Sequence, residues 1–167
     1  LNELAVFDGC LYAGTLNIRS GYQLWRGEPG ARGLRWRIIL TNGAHRGPEC
    51  SIAASMCVFR NHLYVGAGLQ RQGKDGIDRA GPVPGELIRV SPGGDWEIVT
   101  GQPRLTPQGL RLPISGLDAC FGDAFNRGVW CMAEHNGWLY AGCGDWRTFR
   151  TLVPKNDIGL SVRYVEM

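Results

Sequence analysis

One eleven-residue pattern occurs three times in this chain, and it constrains the fold more than any other feature. Leu4-Ala-Val-Phe-Asp-Gly-Cys-Leu-Tyr-Ala-Gly14 matches Met56-Cys-Val-Phe-Arg-Asn-His-Leu-Tyr-Val-Gly66, and both match Met132-Ala-Glu-His-Asn-Gly-Trp-Leu-Tyr-Ala-Gly142 without a gap. In each copy a short apolar run leads through a turn pair into Leu-Tyr-Ala/Val-Gly. The turn pairs are Asp8-Gly9, Arg60-Asn61 and Asn136-Gly137. Asp-Gly and Asn-Gly between apolar runs predict a two-residue β-hairpin, because a type I′ turn needs positive φ at both central positions. Asn61 tolerates that conformation as well.

The first two copies continue in parallel. Gly21-Tyr-Gln-Leu-Trp-Arg26 corresponds to Gly85-Glu-Leu-Ile-Arg89 with one residue fewer, and Arg35-Trp-Arg-Ile-Ile39 corresponds to Asp95-Trp-Glu-Ile-Val99. Tyr22/Leu24, Trp36/Ile38 and Trp96/Ile98 alternate with polar neighbours, as half-buried strands do. The spacing from Tyr12 to Tyr64 is 52 residues and that from Tyr64 to Tyr140 is 76, so the longer interval carries insertions. They fall in residues 68–85 and 101–129, both rich in Gly, Pro and Arg, which read as long surface loops. A short helix is expected only around Ile52 to Ser55, a segment that reads equally as the run-in to the next strand.

Four short antiparallel strands repeating at about 50 residues describe a β-propeller blade. The predicted fold is all-β, with about three such blades near residues 1–40, 54–100 and 129–167. The pattern apolar-Val-Phe-x-Gly-x-Leu-Tyr-x-Gly, then Gly-x-x-Leu-Trp-Arg, then a Trp-containing strand, resembles blades of bacterial β-propeller repeat proteins. That resemblance spans nearly the whole chain and implies a fold, while propellers host lectins, hydrolases, lyases and scaffolds alike. Ser91-Pro-Gly-Gly-Asp-Trp96 departs from the sialidase-type Asp-box in the spacing of its Ser and Trp. The kelch double glycine and the WD dipeptide are absent.

In the third blade Gly159 to Met167 is the expected third strand, and no fourth follows. A propeller ring needs at least about four blades to close, and an open array leaves strand edges that invite pairing. The ring is therefore expected to be incomplete within this sequence. It would be completed by the rest of a longer chain, by a second copy in a homo-oligomer, or by a different chain.

Composition narrows the function classes. A net charge of +3 arises from 18 basic and 15 acidic residues scattered along the chain, so no basic block exists to track nucleic acid. No apolar run approaches the length of a membrane-spanning helix. Leu1 is not an initiator methionine, so the expectation is that the true N-terminus has been removed together with any signal peptide, and this end does not indicate a compartment. The six cysteines form no Cys-x-x-Cys pair, and most fall at or beside predicted strands, where a thiol behaves as a small apolar group. His45, His62 and His135 are dispersed, and neither a nucleophile elbow nor a phosphate loop is present. No metal or cofactor is expected.

Alternating strand directions put the short hairpin turns on one face and the 2–3 loops and blade connections on the other. Both large insertions land on the second face, and loops on a rigid scaffold are where binding usually resides. Its densest polar and aromatic stretch contains Asp118, Phe121, Asp123, Asn126 and Arg127, with a second cluster at Asp145 and Trp146. Aromatic rings beside Asp, Asn and Arg suit a carbohydrate, the ring stacking on apolar sugar faces and the polar groups bonding hydroxyls. A protein ligand would use the same surface, and the same rings could instead plug the loops onto the blade edges. Asp118 with Asp123, or Asp145 with Glu134, would be the carboxylate pair if the chain belongs to a glycan-active enzyme. A third reading is a structural unit whose role is assembly. Tyr12, Tyr64, Tyr140, Trp25, Trp36 and Trp96 are expected to fill the layers between blades.

Overall fold

The computed structural model describes residues 1–68, 84–123 and 125–145. The predicted strand Gly159–Met167, Trp146 and the loop residues 69–83 lie outside them.

The fold is all-β and antiparallel. Strands β1 (Glu3–Phe7), β2 (Cys10–Gly14), β3 (Leu24–Gly30) and β4 (Gly33–Leu40) form a four-stranded meander in chain order. β5 (Ile52–Phe59), β6 (His62–Gly68), β7 (Glu86–Val90) and β8 (Trp96–Thr100) repeat that arrangement. These are propeller-like blades. After a short ribbon, β9 (Arg104–Thr106) with β10 (Gly109–Arg111), the hairpin β11 (Asn126–His135) and β12 (Trp138–Asp145) opens a third unit, joined to the end of β6 through the single pair Gly128–Gly68. The described strands do not close into a ring.

Each repeat hairpin turns as its sequence requires. Asp8, Gly9, Arg60, Asn61, Asn136 and Gly137 all have φ between 42° and 77°, as a type I′ turn demands. In register, Phe7 faces Cys10, Phe59 faces His62 and His135 faces Trp138. The expected helix at Ile52 to Ser55 is not formed, since these residues open β5. Short apolar runs fit either element, and here Ile52 pairs with Gly68 across the sheet.

Neighbouring units share two apolar layers. Phe7, Cys10, Tyr12, Leu24 and Leu40 of the first blade close on Leu63, Val65, Ile88, Val90 and Ile98 of the second. Tyr64, Leu87, Phe59 and Val99, on the second blade's other face, meet Val129, Met132, Leu139 and Ala141 of the third. Fully burying one such side chain is worth about 1.5–3 kcal/mol, so these layers hold the array together. Hydrogen bonds cross the same seams: Asn2 Nδ2 donates to the Ala53 carbonyl at 2.8 Å, and Ser55 Oγ to the Val129 carbonyl at 2.7 Å.

The glycine ending the Leu-Tyr-x-Gly motif marks a seam in the first two repeats. A Cβ at Gly14 would stand 2.6 Å from Ala53 Cβ, and one at Gly66 would stand 2.6 Å from the Val129 carbonyl oxygen. Only glycine lets the next unit's first strand come so close.

Two expectations of burial are corrected. Trp36 and Tyr140 were assigned to the layers between blades, but both are largely exposed. Each occupies the face of a terminal unit that meets no neighbour among the described residues. Residues 101–129 are also more ordered than a surface loop. Ile114 N and Ser115 N donate to the Ile98 and Val99 carbonyls, so the returning chain covers the outer edge of β8.

Candidate functional site

The antiparallel order puts 15–23, 41–51, 84–85 and 101–125 at one end of the strands, opposite the tight turns. Beneath this end lies a buried charge cluster that the sequence reading missed. Glu86 opens β7 on the same face as Ile88 and Val90, and all three are buried. Arg46 Nη1, from the connection between the first two blades, donates to Glu86 Oε1 at 3.1 Å. Arg104 Nη1 lies 2.8 Å from both carboxylate oxygens, and Gln102 N donates to Oε1 at 2.8 Å. One carboxylate thus ties β7 to two separate connections. The arginines are nearly buried too, so the pairing is needed to offset desolvation. Period two along Glu86/Ile88/Val90 could have flagged a buried charge; nothing in sequence pointed to partners 40 and 18 residues away.

Trp96 completes this floor. The His45 ring stacks on it at 6.1 Å with 12° between planes, while the Arg111 and Arg104 guanidinium carbons lie 4.4 and 5.8 Å from its ring centre. Such cation–π contacts strengthen when shielded from water. Cys50 and Tyr22 are buried beside Glu86. Burial first, then the Glu86 charge, pushes the Cys50 thiol up to about 12. Burial, then Cys50 and Glu86, raises the Tyr22 hydroxyl well above its ordinary value. Both groups are neutral at physiological pH and serve as packing.

The predicted site residues gather above this floor. Thr100 Oγ1, at the end of β8, donates to the Asp118 carbonyl and accepts from Phe121 N. Cys120 N donates to the Gly85 carbonyl at 2.8 Å, and Gly85 N returns a bond to the Asn126 carbonyl at 3.3 Å. These bonds hold Cys120 and Phe121 in the left-handed region, with φ of 47° and 62°. Phe121 and Phe125 remain 39% and 41% exposed on this turn, which also carries the exposed Asp118.

Asp123 and Asn126 are partly committed to the turn. Asp123 Oδ1 accepts from Phe125 N at 3.0 Å, and Asn126 Nδ2 donates to the Cys120 carbonyl at 3.4 Å. Asn126 faces Asp145 across the β11–β12 pair, which brings Asp145 to the same end. Arg127 is half-buried, and burial lowers its guanidinium below the ordinary value. Trp146 lies outside the described residues.

The Cys120 thiol shares a hydrogen bond with Cys143, which holds Cys143 below the usual thiol range and raises Cys120. All cysteines of the described residues are free thiols. No cluster of three metal-ligating side chains occurs among those residues.

One suggested carboxylate pair is not assembled. Glu134 faces Leu139 and accepts from Gly137 N at the hairpin tip, whereas Asp145 pairs with Asn126 at the opposite end. Six residue steps along β12, from Leu139 to Asp145, separate these positions, about 20 Å at the usual rise. Asp118 and Asp123 do share one turn. His45 and His135 likewise sit apart, the first on Trp96 and the second at the tip beside Asn136.

Comparison with family models, curated proteins and solved structures finds no match.

Proposed function

We propose that this chain is a ligand-binding propeller module whose surface is the 118–126 turn, and that the ligand is a carbohydrate. One observation carries the reading: two half-exposed phenylalanines stand on a turn whose backbone is fixed by Thr100 and Gly85 and which also carries the exposed Asp118. Rings held in place by backbone bonds lose little entropy when a sugar stacks on them, so more of the stacking energy appears as affinity. Asp118 and the Asn126 amide oxygen would take hydroxyl hydrogen bonds. The Glu86 cluster beneath keeps the supporting connections from shifting.

A glycan array probed with the purified chain, followed by calorimetry on its best ligand, tests this. Phe121→Ala and Phe125→Ala should each weaken binding about tenfold, the effect of losing roughly 1.4 kcal/mol of ring contact. Both should leave the unfolding midpoint nearly unchanged. Binding that survives both substitutions would remove the reading. Binding to a protein and to no glycan would favour the alternative ligand class on the same surface. A role in glycan cleavage would rest on Asp118 and Asp123, and would appear as hydrolysis of a bound sugar abolished by Asp118→Asn.

A further inference from the structure

The repeat tyrosines share one position in the blade and differ sharply in exposure: Tyr12 is 0% exposed, Tyr64 8% and Tyr140 56%. The difference follows from the neighbour. Tyr12 is covered by the second blade and Tyr64 by the β11–β12 hairpin. Tyr140 projects from the corresponding face of that hairpin, together with Trp138 and Gly142, and no described residue of the chain covers it.

The opposite end of the array shows the complementary defect. In the second blade, Ile98 and Trp96 lie on the face that packs onto the first blade, and both are buried. Register places Ile38 and Trp36 at the same points of the first blade: Trp25 pairs with Ile38 and Gly27 with Trp36, as Ile88 pairs with Ile98 and Val90 with Trp96. Ile38 is 42% exposed and Trp36 45% exposed. Leu4, on the same face, is exposed as well. It corresponds to Met56, whose terminal methyl presses on Gly14 in the internal seam.

The two exposed faces are therefore the two halves of a contact that the chain already makes twice within itself. From this we infer that two copies associate head to tail, the Trp138/Tyr140/Gly142 face of each docking on the Leu4/Trp36/Ile38 face of the other. Two such junctions related by a twofold axis cover both exposed faces of each copy. Leu4 of one copy meets Gly142 of the other, as Met56 meets Gly14. The inference is independent of the carbohydrate reading, since neither face includes the 118–126 turn.

Sedimentation of the chain across a concentration series tests it, with Ile38→Glu and Tyr140→Glu as variants. Both residues are exposed in the single chain, so circular dichroism should report an unchanged fold. The wild type should sediment as a dimer and each variant as a monomer. Mixing the variants should restore a weaker dimer, because one of the two junctions then has both wild-type faces; a face-to-face dimer of like surfaces would gain nothing from mixing. A wild-type monomer at high concentration would overturn the inference and leave a further blade of a longer chain as the occupant. A dimer insensitive to both substitutions, or an open-ended series of larger species, would overturn it as well.

Discussion

Arg104 Nη1 sits 2.8 Å from both carboxylate oxygens of Glu86, and Arg46 reaches the same carboxylate from the other side. Both guanidinium groups are nearly buried; Arg46 has a second carboxylate partner in Glu49 at 3.2 Å, whereas Arg104 pairs with Glu86 and with no other carboxylate among the described residues. Glu86→Gln removes the charge with little change of shape and leaves the nearly buried Arg104 cation uncompensated, so it should destabilise the fold by about 3–5 kcal/mol. Replacing all three residues by apolar ones of similar volume should cost much less. Urea unfolding of the two variants measures the difference.

The seam glycines should respond according to what they face. Gly66→Ala places a methyl 2.6 Å from a backbone carbonyl oxygen and 2.5 Å from Ser55 Oγ. It should cost about 1–3 kcal/mol, as overpacking does. Gly142→Ala meets only the Cys131 thiol within close range, at 2.5 Å, and that exposed side chain can rotate away. Measured in the Ile38→Glu background, where assembly is blocked, its cost should stay within about 0.5 kcal/mol.

Alkaline pH should destabilise the protein through Cys50. Its folded value, about 12, lies above the ordinary 9.0, so the fold favours the neutral thiol. That contribution is fully present below the unfolded value and is lost as pH rises from about 9 towards about 12. By about pH 11 the loss should be on the order of 3 kcal/mol. Tyr22 is shifted in the same direction and adds to the slope. Cys50→Ala should be less stable at neutral pH and show a shallower alkaline decline, readable from unfolding midpoints at several pH values.

Thr100 links the core to the binding turn. Thr100→Val keeps the shape but removes the bonds to the Asp118 carbonyl and from Phe121 N. The two backbone groups it releases should cost about 1–3 kcal/mol. Faster amide exchange should be confined to residues 118–126 and accompanied by weaker ligand binding.

The repeat made the hairpins readable, because Asp-Gly and Asn-Gly carry their turn geometry locally and Arg60-Asn61 inherits it by alignment. The grouping of Asp118, Phe121, Asp123, Asn126 and Asp145 at one end was readable too, since strand alternation decides which loops share a face. The Glu86 cluster was not, because its partners come from connections with no repeat relation to β7. Trp36 and Tyr140 were misjudged for a related reason. Their positions imply a packing layer, but burial depends on a neighbour that the pattern does not supply. The same alternation puts Glu134 beside the 136–137 turn and Asp145 at the far end of the hairpin, so that carboxylate pair had no support in the topology.

The central claim is that ligand binds the 118–126 turn, and mapping amide chemical shifts during titration with the best array-selected saccharide tests it most directly. Saturable shifts should cluster at residues 118–126 and Asp145, with the tips at 8–9, 60–61 and 136–137 unmoved. Shifts centred on those tips, or no saturable shift with any saccharide, would contradict it.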